Sequence, residues 1–549
     1  MKENINSSGQ PIENVIISSE NEDMFYLSES SLIPDKIKEH FKTKSKFLLV
    51  FVNPKSGSQQ GKIVLEHCQK YKIENIPEYN IISFPIIDEK LKSKKNDSKE
   101  LETKNSTDEE KEENNYNLSF AKFDPLIEFS TIIFNIIDKN ELAKGKKFIK
   151  RYLNDFPNHN IKILIAGGDG TVLGIVEELN REGIPLNRCI FGAMPFGTGN
   201  DLSHSLGFGN ECKVDGIRKF HRVLYTYLIG TLAKIDIWEL SVSVSKINGT
   251  IFDVVKNGEK IKEDENHNKV FEFQKTFVNY FSLGFDARVG FQFEQHRSSS
   301  RFCNKFIYGI EAAKRIFCCK KNYGLSDLLD SFQEGILEEK ENLQKEQKVS
   351  SELLDIEEVR NDPILPKEDK ENLIIGKDNR KFIFKTENSG DIPSDVILKG
   401  NPVNIICQNI DFYMGGTQNI WDKSSHIGIK QEELTKSQYK QYKKEVLEHF
   451  QKQAFDDKKI EFFTYEHGIE LGLERVNRGM AKRVYQGTGP VYLEFKKNPD
   501  ETQKIALNKV YLNCDGEFYH LQNPTYISVR LNTNICDGQI NILKNEIGF

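Results

Sequence analysis

The sequence has few of the features that mark secreted, membrane-spanning or nucleic-acid-binding proteins. Its nine cysteines form no CxxC pair, which argues against a disulfide framework and against a zinc module. No apolar run approaches the roughly 20 residues that a spanning helix needs, and the first ten residues, MKENINSSGQ, lack the apolar core of a signal peptide. Basic residues do not outnumber acidic ones (76 against 82, net charge −6), so we expect no nucleic-acid partner. These absences predict a soluble, cytoplasmic protein.

The hydrophobic fraction is also low, and this predicts stretches of chain outside any core. It is 38%, below the roughly 45–50% that is typical of globular proteins. Residues 1–40 are polar and aperiodic and are predicted to form a tail. Residues 88–117 are almost entirely charged or polar, so burial cannot offset their ordering entropy and a disordered insertion is predicted. A second polar insertion, 333–395, is rich in Glu and Lys and is predicted to be a solvated helix or disordered.

Three segments combine a hydrophobic strand, a glycine turn and a helix. They are KFLLVFVNP with the following SGSQQGKIVLEHCQKY, then IKILIAGGDGTVLGIVEELN, then CIFGAMPFGTGNDLSHSLGFG. Such a succession predicts a parallel sheet flanked by helices, and we expect an α/β domain over residues 41–233. From residue 234 to 549 the runs are short, β-branched or aromatic, with turn signals between them, which predicts an all-β domain of the sandwich type. The predicted fold class is therefore α/β plus all-β in two domains.

The GGDGT turn, Gly167–Thr171, has the composition of a phosphate site. Paired glycines let the backbone approach an anion closely, and the N-terminus of the following helix adds free N–H groups and a positive dipole. Asp169 would repel a phosphate, unless a divalent cation lies between them or the carboxylate handles the proton of an attacking hydroxyl. The turn therefore predicts phosphate chemistry, with Asp169 on the metal or on the proton.

The other two turns offer similar groups. Asn53–Gly57 supplies amide and hydroxyl donors, with Lys55 as a compensating charge. The stretch Gly57–Lys62 resembles a P-loop, but it is one residue short and Ile63 replaces the Ser or Thr that would hold magnesium, so a P-loop NTPase is not expected. The candidate phosphate-binding residues are Asn53, Lys55, Ser56, Gly57, Gly167, Gly168, Gly170, Thr171, Gly197, Thr198, Gly199, Asn200 and Asp201.

Seven motifs in a fixed order resemble a known family. They are FVNPKSGSQQG, IAGGDGTV, PFGTGNDLSHSLGFG, VNYFSLGFDARVGFQF, RFCNKFIYG, NIDFYMGGTQNIWD and LNCDGEFYHL. The sequence is similar to the catalytic and accessory domains of diacylglycerol kinases, within the superfamily that also holds sphingosine and ceramide kinases. The resemblance implies ATP-dependent phosphorylation of diacylglycerol to phosphatidic acid, with ATP and Mg²⁺ bound between an α/β and a β-sandwich domain.

The resemblance also implies roles for three carboxylates. Glu517 matches the general base of bacterial relatives, and Asp236 matches a carboxylate linked to that base through water. In sphingosine-type kinases the residue matching Asp169 is the candidate base, so the choice between Asp169 and Glu517 stays open. A related kinase acting on sphingosine, ceramide or monoacylglycerol is an alternative. A non-catalytic lipid-sensing module is another, although binding alone needs no catalytic carboxylates.

Diacylglycerol resides in membranes, so a membrane surface is the expected partner and a peripheral location is predicted. The C1 zinc modules and EF-hands of animal relatives have no counterpart in the sequence. The segment Arg301–Lys321 combines aromatic and basic residues and predicts a helix that lies at an anionic interface or packs on the β domain.

Overall fold

The computed structural model describes residues 47–56, 59–71, 79–84, 129–297, 307–314, 323–335, 380–387, 396–430, 435–497 and 506–546. The predicted tail (1–40), the predicted insertion 88–117 and most of 333–395 lie outside these residues, as does Gly57. Of the predicted helix Arg301–Lys321, residues 307–314 are described and are helical. None of the helices in the described part of the chain has the length and apolar character that crossing a membrane requires.

The strands are numbered in chain order. They are β1 (Phe47–Val52), β2 (Ile81–Phe84), β3 (Phe129–Asn135), β4 (Ile161–Gly167), β5 (Cys189–Pro195), β6 (Thr231–Asp236), β7 (Trp238–Val244), β8 (Thr250–Val255), β9 (Gly258–Ile261), β10 (Glu272–Phe277), β11 (Tyr280–Gly284), β12 (Leu329–Glu334), β13 (Lys381–Lys385), β14 (Ile397–Leu398), β15 (Asn404–Gln408), β16 (Phe412–Tyr413), β17 (Thr417–Gln418), β18 (His426–Ile427), β19 (Ile429–Lys430), β20 (Ile460–Tyr465), β21 (Lys482–Gly487), β22 (Val491–Phe495), β23 (Val510–Cys514), β24 (Glu517–Gln522), β25 (Pro524–Leu531) and β26 (Gln539–Lys544).

The α-helices are numbered in the same way. They are α1 (Gln60–Tyr71), α2 (Lys139–Asp155), α3 (Asp169–Arg181), α4 (Asp201–Ser205), α5 (Ile217–Ile229), α6 (Phe285–Gln295), α7 (Leu325–Leu328), α8 (Ile420–Lys423), α9 (Lys436–His449) and α10 (Gly468–Leu473).

The first sheet has seven strands in the order β2-β3-β1-β4-β5-β26-β6. Its central strands β1, β3, β4 and β5 are parallel and are continuous apolar runs with almost every residue buried, as expected when helices cover both faces. The three predicted strand–turn–helix units are present as β1–α1, β4–α3 and β5–α4. The sheet is mixed rather than parallel, because the edge strands β2 and β6 pair antiparallel.

The last strand of the chain returns to this first sheet. β26 lies between β5, to which it is parallel, and β6, to which it is antiparallel. The α/β part therefore does not end at residue 233: it includes the end of β6 and residues 539–544. The sequence of β26, QINILK, alternates like an ordinary sandwich strand, which is why its position could not be predicted locally.

The rest of the chain forms an eight-stranded sheet (β10-β7-β25-β22-β12-β13-β14-β19) and a nine-stranded sheet (β18-β21-β20-β15-β11-β23-β24-β8-β9). Nearly all their pairs are antiparallel. One hydrophobic cluster contains residues of both these sheets, for example Trp238 of the eight-stranded sheet and Phe281 of the nine-stranded sheet. The two sheets therefore pack face to face. β13, with the sequence KFIFK, lies inside the predicted insertion 333–395, so the polar insertion is shorter than expected.

The α/β part and the β-rich part meet at a second cluster. Val278, Ile410 and Phe412 of the β-rich part are buried in the hydrophobic core of the first sheet. The ring of Phe412 stacks on His204 of α4, with centroids 3.8 Å apart. The turn after β5 is thereby held against the start of β11 and against the β16–β17 hairpin, and this junction contains the candidate site.

Candidate active site

Two glycine loops lie in contact at the carboxyl edge of the first sheet. β4 ends at Gly167, Gly168 has an extended backbone, and Asp169 begins α3. The backbone N–H groups of Phe196 and Gly197, which follow β5, both donate to the carbonyl oxygen of Gly167 at 3.0 Å. A Cβ at Gly197 would lie 2.5 Å from the Cα of Gly168, so the approach requires glycine. The backbones of the two loops thus lie side by side at the ends of the neighbouring strands β4 and β5.

The predicted Asn53 turn joins the same edge. The side-chain amide of Asn53 donates to Thr171 Oγ1 at 3.5 Å, and its oxygen accepts from the backbone N–H of Lys55 at 3.0 Å. Ser56 is buried and its hydroxyl donates to the carbonyl oxygen of Asn53 at 2.9 Å. The structure therefore brings the first and second predicted turns together, and Lys55 is an exposed residue of the first turn.

The second turn has open space on one side, and the third turn contacts a cation from another element. A Cβ at Gly170, in the second turn, would meet nothing within 4 Å. Arg297, which follows α6, donates to Thr198 Oγ1 at 2.6 Å and also pairs with Glu294 at 2.9 Å. A guanidinium of the β-rich part thus lies on the glycine loop of the α/β part. The sequence analysis did not select Arg297, because nothing local indicates that α6 ends at this loop.

Asp169 is tied to both halves of the junction. Its Oδ2 accepts a hydrogen bond from the backbone N–H of Asp201 and another from Asn279 Nδ2, each at 3.0 Å. Asn279 immediately precedes β11 and is buried. The carboxylate is therefore oriented by groups from the first sheet and from the β-rich part, and its second oxygen is left to other partners.

Asp201 makes the corresponding contacts from the third turn. It is 2% exposed, and it accepts hydrogen bonds from the hydroxyl of Tyr280 at 3.0 Å and from the backbone N–H of Gly415 at 3.0 Å. Gly415 belongs to the loop between β16 and β17. The predicted residue Asp201 is therefore part of the junction, although its hydrogen bonds there are structural.

A third carboxylate, Asp515, was missed by the sequence analysis. It accepts hydrogen bonds from the three backbone N–H groups of residues 278–280, at 2.9 to 3.1 Å. It therefore fixes the segment that presents Asn279 to Asp169. Asp515 lies in the β23–β24 turn with φ +47°, two residues before Glu517, the residue that the motif had suggested.

Burial and mutual repulsion govern the ionisation of these three groups. Burial, together with repulsion from the charges of Asp201 and Asp515, raises the pKa of Asp169 to about 8. Burial also raises the pKa of Asp515 to about 6 and raises that of Asp201. A bound cation would stabilise the ionised forms of these three neighbouring carboxyl groups. Clusters of groups with shifted pKa values are typical of functional sites.

The oxygens present fit a magnesium ion. Within the described residues, the side-chain oxygens of Asn200 and Asn279 are buried without a hydrogen-bond partner, and Asn200 has φ +57°, with its amide N–H bound to two backbone carbonyl oxygens. Carboxylate and amide oxygens are ligands that Mg²⁺ prefers. No three His, Cys, Asp or Glu side chains of the described residues are placed to hold a metal together, so Asp169 would share the ion with a bound phosphate, as is usual for Mg²⁺.

The side chain of Glu517, unlike that of Asp201, is exposed. Its side chain is 57% exposed, and one oxygen pairs with Lys275 Nζ at 2.8 Å. The other oxygen accepts from the hydroxyl of Tyr519 at 2.9 Å. Both contacts are with residues of the β-rich part, and they hold the carboxylate at the turn that also contains Asp515.

Asp236 lies elsewhere in the interface. It is buried, and its oxygens accept from the backbone N–H of Lys458 and from Gln539 Nε2, each at 2.7 Å. Burial raises its pKa to about 7. None of these recorded contacts reaches Glu517, so the water-mediated link implied by the resemblance stays a prediction.

Comparison with family models and known proteins gives a consistent result. Residues 110–226 match the diacylglycerol kinase catalytic domain, and residues 276–518 match the diacylglycerol kinase accessory domain. The two matches include Asp169, Asp201, Asn279, Asp515 and Glu517. They leave out the Asn53 turn and Asp236.

Three relatives illustrate the extent of the similarity. Diacylglycerol kinase 7 of Arabidopsis thaliana is 25% identical over 293 residues, 50% of this chain and 49% of that protein. Diacylglycerol kinase 3 of the same plant is 32% identical over 193 residues, 31% of this chain and 38% of that protein. Diacylglycerol kinase iota of Homo sapiens is 33% identical over 159 residues, 27% of this chain and 13% of that protein. The aligned parts thus span half or less of these relatives' own length.

Proposed function

Because the chain belongs to the diacylglycerol kinase family by both its catalytic and its accessory domain, we propose that it is an ATP-dependent diacylglycerol kinase. It would transfer the γ-phosphoryl group of ATP to the free primary hydroxyl of 1,2-diacylglycerol, giving phosphatidic acid and ADP. The observation that supports this activity best is the convergence of two glycine loops and of Asp169 at one edge, with Asn279 of the β-rich part bound to that carboxylate.

The glycine loops provide the phosphate site. Gly168 and Gly197 let the backbones of the second and third turns approach each other closely, and the N-terminus of α3 adds N–H groups that favour anions. Lys55 and Arg297 lie beside the loops and bring positive charge. Phosphoryl transfer depends mainly on positioning and on charge neutralisation, and these groups contribute to both.

Mg²⁺ would be held by Asp169, and the side-chain oxygens of Asn200 and Asn279 are the further candidates within reach of the same loops. When bound, it would neutralise negative charge on the phosphates during transfer. Asn279 and the backbone N–H of Asp201 keep Asp169 in one orientation for that task.

The proton of the attacking hydroxyl has two candidate acceptors. Asp169 is half-buried within the cluster, whereas Glu517 is exposed and held by Lys275 and Tyr519. An acceptor must lie within hydrogen-bonding reach of the hydroxyl it deprotonates. We propose Glu517 for this role, because its side chain is 57% exposed and therefore accessible to a substrate, and because Asp169 would hold the cation.

The test is phosphorylation of a panel of lipids with labelled ATP. Diacylglycerol, monoacylglycerol, ceramide and sphingosine are presented separately in mixed micelles, with Mg²⁺ and with a chelator. The proposal expects label on diacylglycerol, and only when Mg²⁺ is present. Label on sphingosine or ceramide in preference would identify a related lipid kinase. Label on none of the four would leave a lipid-binding module without activity. The variant Asp169→Asn, prepared in parallel, reports contaminating kinases.

We also propose that the protein acts as a peripheral protein on the cytoplasmic side of membranes. Its substrate is insoluble, and the six cysteines among the described residues all have free thiols, which suits a reducing compartment. Fractionation of cells that express a tagged full chain tests this location. Recovery of the protein in the lumen of the secretory pathway would contradict it.

A further inference from the structure

One segment near the junction exposes aliphatic side chains that a folded protein normally covers. Ile469, Leu473 and Val476 are 45%, 43% and 87% exposed. Ile469 and Leu473 stand at positions i and i+4 of α10 and share one face of it, and Val476 lies in the turn that follows the helix. Isolated exposed aliphatic residues are common, but a group of three is typical of a binding surface. We refer to residues 467–478 as the apolar apex.

The charges of the apolar apex have one sign. Its exposed positions are 467, 469, 472, 473 and 475–478, and the only charged residues among them are Arg475 and Arg478. The two acidic residues of the segment are engaged internally: Glu470 accepts from the backbone N–H of residues 466 and 467, and Glu474 is buried. In a chain with a net charge of −6, this surface complements a negative partner.

The apex is held in shape by Glu474. Its two carboxylate oxygens accept from the backbone N–H of Gly479 at 2.6 Å and from that of Met480 at 3.0 Å. The turn between them is thereby closed, and Val476 stands at its tip. A turn that is already fixed in one conformation loses little conformational entropy when its exposed aliphatic tip becomes buried on binding.

The apex is also connected to the candidate active site. Arg475 donates to the carbonyl oxygen of Met414 at 2.8 Å and to Thr417 Oγ1 at 3.1 Å. Gly415, which follows Met414 in the chain, donates its backbone N–H to Asp201. The hydroxyl of Tyr308, on the helix at 307–314, contacts Met414 Sδ at 3.3 Å. A partner that binds the apolar apex would therefore lie close to the junction that contains Asp169.

We propose that the apolar apex is where this protein inserts into an anionic lipid bilayer, with Ile469, Leu473 and Val476 entering the interface and Arg475 and Arg478 meeting the headgroups. The proposal rests on the proposed function, because a kinase for diacylglycerol must reach its substrate in a bilayer. Aliphatic residues flanked by cations are the combination that anchors peripheral proteins to such surfaces. The site differs from the helix that the sequence predicted for this role at Arg301–Lys321.

Vesicle binding of matched variants tests the proposal. Val476→Asp places a charge at the tip, whereas Ile247→Asp places the same charge at a side chain of equal exposure, 88%, in the β7–β8 turn. Sedimentation with vesicles of phosphatidylcholine and phosphatidylserine should show that Val476→Asp binds roughly tenfold or more weakly than the parent. Ile247→Asp should bind as the parent does. Both variants should keep the parent's thermal midpoint, since both side chains are exposed.

Charge is tested separately with Arg478→Gln. Removing one cation near an anionic surface should weaken binding roughly fivefold, and the difference should vanish at high salt or on pure phosphatidylcholine. Unchanged binding of Val476→Asp, or an equal loss for Ile247→Asp, would overturn the proposal. A protein partner at the apex would produce the first of these outcomes.

Activity on a short-chain diacylglycerol that is soluble without vesicles separates the two proposals. If the parent phosphorylates it and Val476→Asp does so equally, the kinase stands, and vesicle binding alone decides the role of the apex. If the parent phosphorylates no lipid but Val476→Asp still loses vesicle binding, the kinase assignment fails and the membrane surface remains.

Discussion

The substitution Asp169→Asn is expected to separate activity from stability. Oδ2 of Asp169 accepts two hydrogen bonds, from the backbone N–H of Asp201 and from Asn279. An asparagine in the same rotamer keeps a carbonyl oxygen at that position, so both bonds can persist. It also removes one of three carboxyl groups whose burial disfavours charge. We therefore expect the free energy of unfolding to change by no more than about 1–2 kcal/mol.

The expected loss in turnover is much larger. Loss of a positioned carboxylate from the metal or from the proton path typically lowers kcat by about 10²–10⁴, which corresponds to roughly 3–5 kcal/mol of transition-state stabilisation. Turnover is measured with saturating ATP and Mg²⁺ on diacylglycerol in micelles, and unfolding is followed by circular dichroism. In the presence of ATP, Mg²⁺ is expected to raise the thermal midpoint of the parent, and this rise should be smaller in the variant.

A matched control lies on the same helix. Glu177→Gln also removes one carboxylate from α3, two turns away from Asp169, and it should leave kcat within about twofold. A kcat of Asp169→Asn close to that of the parent would refute the assignment. A collapse of the thermal midpoint together with activity would show that the carboxylate is needed for folding instead.

Three further outcomes can be checked. Gly197→Ala would place a Cβ only 2.5 Å from backbone and should lower the free energy of unfolding by about 1–3 kcal/mol in urea titrations. Gly170→Ala, whose Cβ would meet nothing within 4 Å, should not lower it. Equal effects of the two variants would contradict the packing argument. The pKa of Asp236 is raised to about 7, so the folded state holds its proton more tightly than the unfolded chain, and stability falls as pH rises from about 4 to about 7. Asp236→Asn should make this fall in stability with pH less steep in thermal melts. An unchanged pH dependence would argue against the contribution of Asp236. Glu517→Gln should lower kcat by about 10²–10⁴ with no loss of stability, because the side chain is 57% exposed; normal turnover would assign the proton to Asp169.

Local sequence was sufficient for the first sheet's core and for its loops. β1, β4 and β5 are continuous apolar runs, each followed closely by Asn-Pro or glycine. Such runs are hard to place anywhere but inside an α/β sheet. The glycine turns are equally local, since the close approach of Gly197 to Gly168 needs only the absence of side chains.

What could not be predicted depends on contacts between distant parts of the chain. Asn279 lies 110 positions from Asp169, and nothing in VNYFSLGFDA shows which residue would face that carboxylate. Asp515 and Glu517 are two positions apart in one turn, and the left-handed backbone at Asp515 decides which of them points inward. The register of such a turn is a tertiary property, so the motif alone could not show that Asp515 binds the backbone of residues 278–280.

The position of β26 affects how the protein is made. β5 leaves the ribosome about 340 residues before the strand that completes its sheet, and at roughly 5–20 residues per second that interval lasts on the order of a minute or less. During it, the side of β5 that will receive β26 is an open strand edge, which is prone to pairing with other chains. Any separately expressed fragment that stops before residue 539 carries the same open edge permanently.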